Sequence, residues 1–267
     1  MNYRTTKLDT LKRSVTGLTI IELVVVISIS GFLITIVGAF ALDYWGNTVS
    51  SSNHQASLVS RLNASDYLNS AIDQATGLIN QNNIPDTNTG NADPLNSSGT
   101  YWLVLNAVPG LIHKGASGTI TPVLYYNRAS VDTSKHIIMN GAIPYEDNIM
   151  LYLDGSTNQL LARTLANTYA VGNRALTTCP AAIASSTCPA DTVVAESVTS
   201  VSMRYFSRSG NNIDYTSIID TNTGQFIGPN FPSVKIVEFT LNIAQSSFMH
   251  NAKAATNSTI IRVALRN

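Results

Sequence analysis

A chain of 267 residues with 16 basic and 16 acidic side chains carries no net charge, and only 12% of its residues are charged. This excludes a global electrostatic attraction to nucleic acid as the basis of function. The length holds one sizeable body plus an anchor. A body of about 180 residues buries roughly 70% of its unfolded surface, so no cofactor or metal is needed for folding and none is expected. Frequent Ser, Thr, Asn and Gly suit an exported protein better than a cytosolic enzyme.

Charge is unevenly distributed. Arg4, Lys7, Lys12 and Arg13 stand against Asp9 in residues 1–17, a net of +3, which leaves −3 for the remainder. From Leu18 to Leu42 runs a predominantly apolar stretch with one charge, Glu22. At ~1.5 Å per residue this stretch crosses ~30 Å of hydrocarbon as a helix. No Lys or Arg follows until Arg61, so the basic start belongs in the cytoplasm and the body outside. Ala39-Phe40-Ala41 offers a signal-peptide cleavage site, but the apolar run far exceeds the ~7–15 residues of such a peptide. A plain signal anchor fits the length and leaves Glu22 unexplained, since an acid in mid-membrane costs up to ~3 kcal/mol.

The stretch Thr16-Gly17-Leu18-Thr19-Ile20-Ile21-Glu22-Leu23 resembles the processing site of type IV prepilins and type II secretion pseudopilins. The shared features are a basic leader, a glycine, and an apolar helix with glutamate as its fifth residue. The resemblance implies that a cytoplasm-facing prepilin peptidase cuts between Gly17 and Leu18 and that the new amine on Leu18 is methylated. Leu18 departs from the more usual Phe. The freed amine is largely cationic at neutral pH, and Glu22 lies in the first turns, where the helix dipole favours an anion. An amine contributed by the next subunit would make both charges cheaper together and set axial register. No proline occurs before Pro85, so Gly31 and Gly38 are the weak points of the segment.

Helical spacing continues beyond the membrane in Leu58, Leu62, Leu68, Ile72, Ala75 and Ile79, an apolar stripe expected to bury against a sheet. The alternative is a hinge around Gly46 to Asn53. The domain scheme is therefore a leader over 1–17, a transmembrane and assembly helix over 18–42, an extracytoplasmic amphipathic helix over 43–84, and a β-rich body over 85–267. Strands are predicted at Tyr101–Val108, Val123–Tyr126, Ile149–Leu153, Leu160–Thr164, Ser197–Phe206, Ile213–Ile218, Val234–Ile243 and Thr259–Leu265. Cys179 and Cys188 bracket a short loop that closes by a disulfide in an oxidising compartment; otherwise they are two unpaired thiols. The fold class is α+β and pilin-like: a long amino-terminal helix, membrane-spanning in its first half, packed on an antiparallel sheet domain. The Val194–Ile213 run, Val234–Leu241 and the terminal Arg262–Asn267 resemble J-type minor pseudopilins and PilW-like minor pilins.

Chemistry is sparsely signalled. Asp-Thr-Asn-Thr-Gly occurs at Asp86–Gly90 and Asp220–Gly224, but Ser97 and Phe231 stand where a calcium loop needs an acid, so both copies read as turns. His54, His113, His136 and His250 lack metal-ligand spacing, and no nucleophile elbow or phosphate loop is present. The expectation is a non-enzymatic minor pilin or pseudopilin whose partners are the peptidase, other subunits and membrane lipid. A membrane-anchored enzyme or binding protein is the alternative.

Overall fold

The computed structural model describes residues 19–78, 83–85, 101–103, 120–214, 233–245 and 255–265. Helix α1 runs unbroken from Ile20 to Asp73. Its 54 residues make a rod about 80 Å long. Ser28, Thr35 and Thr48 each return their hydroxyl to the carbonyl four residues back, at 2.8, 2.9 and 2.9 Å, so these polar groups are satisfied inside the rod. No hinge forms at Gly46 to Asn53, because tertiary packing on one face outweighs the weak propensity of Ser50-Ser51-Ser52.

The face turned to the body differs from the expected stripe. Gly46, Ser57, Ser60, Ala64, Leu68 and Ile72 are buried, whereas Leu58 and Leu62 are 52% and 62% exposed. Small side chains bring the rod close to the sheets, and only its last turns insert leucine and isoleucine. Ser60 Oγ donates to the Glu196 carbonyl at 2.8 Å and accepts from the Glu196 amide at 2.9 Å. Asn257 Nδ2 donates to Ser57 Oγ at 2.9 Å.

The helix also stops earlier than the 43–84 span. Gln74 caps it, and the chain passes directly into strand β1 (Ala75–Leu78). Thr76 and Gly77 are poor helix residues, and β1 gains a ladder on the edge of the first sheet. The later strands are β2 (Asn83–Pro85), β3 (Tyr101–Leu103), β4 (Ile120–Ala129), β5 (Met139–Asn140), β6 (Ile143–Pro144), β7 (Glu146–Asp154) and β8 (Gln159–Leu165). They are followed by β9 (Thr192–Ala195), β10 (Val198–Phe206), β11 (Asn212–Ile213), β12 (Ile236–Gln245) and β13 (Ala255–Ala264). Two antiparallel sheets carry the body, ordered β1-β4-β7-β8-β9 and β11-β10-β12-β13. The arrangement is α+β, a long helix on antiparallel sheets.

Val123–Tyr126, Ile149–Leu153 and Leu160–Thr164 lie within observed strands, Tyr101–Val108 agrees over β3, and the other four overlap β10, β11, β12 and β13 but overrun them by one or two described residues. The odd spacing of Val198, Val201, Met203 and Tyr205 has a structural cause: a bulge between Val198 and Ser200 switches the inward parity of β10. On β12, Val237, Phe239, Leu241 and Ile243 point inward with period two. One core joins both sheets to the rod, with Ala64, Leu68 and Ile72 against Leu124, Tyr126, Ile149 and Leu151 on one side and Tyr205, Val237 and Phe239 on the other. Each fully buried side chain of this size contributes roughly 1.5–3 kcal/mol.

The first sheet is buried on its second face as well. Tyr125, Met150 and Arg163 lie opposite one another across β4, β7 and β8 and are all buried, and the segment 166–191 bonds to this face at Arg163 and Tyr152. Its base is held by buried Asp147, which accepts from the Asn167 amide at 2.9 Å and Asn173 Nδ2 at 2.7 Å. Its far end is held by Asp191, which pairs with fully buried Arg163 at 2.9 Å and accepts Tyr152 Oη and Thr178 Oγ1, each at 2.6 Å. Cys179 and Cys188 form a disulfide with a Cα separation of 5.6 Å.

Two outcomes follow. Replacing Asp191 by Ala leaves a buried guanidinium without this carboxylate and should cost about 3–5 kcal/mol in denaturant unfolding. Burial pushes the phenols of Tyr125, Tyr126 and Tyr152 above their ordinary value of about 10. Both folded and unfolded chains are neutral at these sites below that pH; above it only the unfolded chain ionises. Stability therefore falls as pH rises through the unfolded value, by up to ~1.4 kcal/mol per pH unit for each phenol. The tyrosinate absorbance of these three should appear together with loss of circular dichroism, not before it.

Candidate functional site

The amino end of α1 is built by a reciprocal cap. Thr19 is extended, with φ −75° and ψ 154°, and its hydroxyl oxygen accepts from the Glu22 amide at 3.2 Å. The Glu22 carboxylate accepts from the Thr19 amide at 2.9 Å and from the Thr19 hydroxyl at 3.0 Å. Otherwise orphaned first-turn donors are satisfied, and an anion sits at the positive end of the helix dipole. The Thr-x-x-Glu spacing is that of a capping box, and it makes Thr19 the partner of Glu22 inside the chain. Gly17 and Leu18 lie outside the described residues.

Every residue from Thr19 to Trp45 is exposed, including Phe32, Ile34, Val37 and Phe40. An apolar surface this long is not stable against water. Among the described residues α1 is the one helix long and apolar enough to cross a membrane, near the amino terminus and with none of that segment buried in the body. A Cβ added at Gly31 or Gly38 would meet nothing within 4 Å, so neither glycine serves packing inside the molecule. Both remain helical. Tyr44 and Trp45 are exposed where the apolar run gives way to Asp43 and the body begins at buried Gly46, the level at which aromatic residues favour a bilayer interface.

The cysteines are paired with each other. His54 and His136 are exposed, and His136 sits beside Asp132, whose carboxyl is held below its usual range chiefly by the His136 amide. His113, His250 and both Asp-Thr-Asn-Thr-Gly copies lie outside the described residues. Among the described residues no group of three or more His, Cys, Asp or Glu side chains is placed to hold a metal ion. Glu238 is buried between Arg204 and Arg262, directly opposite on β10 and β12's other neighbour β13, and both guanidinium groups lie over the Phe206 ring. A cleft of about 570 Å³ at the carboxyl end of α1 is lined by Arg128, Arg174, Val131 and Ile137. Its Thr76 hydroxyl is already bonded to Glu146 at 2.6 Å. No nucleophile and base are paired among its described lining residues.

The two tryptophans allow the anchor to be located. With Trp102 replaced by Phe, Trp45 in reconstituted protein should be quenched more strongly by lipids brominated near the headgroup than by lipids brominated near the bilayer centre. Equal or deeper quenching would remove Trp45 from the interface. No family model matches the sequence, and no curated protein matches it.

Proposed function

We propose that the protein is a minor pilin or minor pseudopilin. Prepilin peptidase releases it after Gly17, Leu18 becomes its methylated first residue, and α1 carries it from the cytoplasmic membrane into a filament with the body outside. The observation that carries this reading is the bare apolar half of α1, continuous with a half seated on the body and headed by Glu22. A helix leaving lipid has to exchange lipid contacts for contacts with other helices, and Leu58, Val59 and Leu62 extend its apolar surface beyond the membrane segment. The basic leader supports the orientation. The role is structural, and its partners are the peptidase, neighbouring subunits and lipid.

Glu22 has two separable roles in this reading. As a cap it orders the first turn inside its own chain; as a charge it attracts the amine of a neighbouring subunit and sets register. Glutamine preserves a capping box and removes the charge. Glu22→Gln should therefore insert into the membrane normally and fail to enter filaments, as should Glu22→Ala, whereas Thr19→Val should weaken the cap by about 1 kcal/mol and still assemble. Normal assembly of Glu22→Gln would reject the charge role and leave the cap. Mass spectrometry of the mature protein should find a methylated amino terminus at Leu18; an intact Met1, or a start at Leu42, would reject the prepilin reading.

A further inference from the structure

At its far end the segment 166–191 bonds to Arg163 and Tyr152 on the second face of the first sheet, and there the disulfide adjoins a buried ion pair. Cys179 follows Thr178, and Cys188 lies three residues before Asp191. The Cys179 amide donates to the Pro189 carbonyl and the Asp191 amide to the Cys179 carbonyl, both at 2.8 Å. Thr178 in turn ties the segment to β8: its amide donates to the Thr164 carbonyl at 2.9 Å, and its hydroxyl oxygen accepts from the Thr164 amide at 3.0 Å. The cross-link therefore holds together the two short runs that deliver Thr178 and Asp191 to Arg163. That arginine has no exposed surface, and Asp191 accepts from both its Nε and a terminal nitrogen.

We propose that Cys179–Cys188 is a redox latch on the 166–191 segment, and that opening it withdraws Asp191 from Arg163 and Tyr152 and uncovers the second face of the sheet at those two residues. Opening takes two electrons and two protons from a dithiol: the sulfur–sulfur bond breaks to two thiols, and the dithiol closes to its own disulfide. A bridge that only shortened a loop would stabilise through the unfolded chain. This one also decides whether a buried cation keeps its counter-ion, so its loss reaches Tyr152, whose hydroxyl donates to the same carboxylate. In a compartment kept reducing by thiols the face stays open, and in an oxidising one it shuts. Combined with the proposed topology, and resting on it, the body closes only on the far side of the membrane.

The test uses the full chain in detergent micelles with dithiothreitol as reductant, and does not depend on assembly or cleavage. Reduction to two titratable thiols should lower the thermal midpoint of the wild type by on the order of 10 °C and speed amide exchange at Thr178, Cys179 and Asp191 by about tenfold or more. In Arg163→Met/Asp191→Leu/Tyr152→Phe the same reduction should lower the midpoint by about half as much or less. Equal shifts in the two proteins, or a reduced wild type with unchanged protection at those amides, would overturn the latch. If the triple variant does not fold, amide exchange in the wild type decides alone. Failure here would leave the filament reading intact, because cleavage and assembly are measured separately.

Discussion

One unbroken helix has to satisfy two surroundings, and the rest of the molecule is arranged around that demand. Over its first half α1 offers apolar side chains in every direction and buries none of them in the body. Over its second half it narrows to a single buried stripe, opening with glycine, serine and alanine and closing with leucine and isoleucine. Small residues let the backbone approach, and the two sheets meet it there through Ser57 and Ser60 as much as through hydrocarbon. Ser60 bonds at Glu196, where the chain leaves β9 for β10, so one hydroxyl holds the rod at the junction between the sheets.

The anchor and most strands were legible because their signals are local. A run of apolar residues with one acid, or alternation such as Val237, Phe239 and Leu241, expresses the period of the element that buries it. The rod's contact face was misread for a physical reason. Leu58 and Leu62 have the spacing of a buried stripe, but Ser57, Ser60 and Ala64 occupy it, because close approach selected volume over hydrophobicity. Strands β1 and β9 were likewise missed, being short edge strands specified by their neighbours β4 and β8 more than by their own residues. At the amino end of α1, Glu22 stands out in the sequence by its charge, while its partner inside the chain, Thr19, is marked only by the capping-box spacing.

Tertiary context also explains what the sequence could not convey about the cysteines. Their short separation gave the loop, with an open choice between a bridge and two thiols. That this loop ends beside Arg163 depends on residues 28 positions apart in the chain, Arg163 and Asp191, meeting through the fold. A fully buried cation is tolerable where its carboxylate is also held by Tyr152 and Thr178.

The absence of any break in α1 between Ile20 and Asp73 has a mechanical meaning. A pull on the body enters the rod along the Ser57-to-Ile72 contacts and passes down one hydrogen-bonded column, with neither a proline nor a loop to yield first. Tension along the axis is shared by successive turns in series, while the grip between rod and sheets is loaded in shear across many contacts at once. Such a molecule transmits force stiffly from the sheets to its bare end.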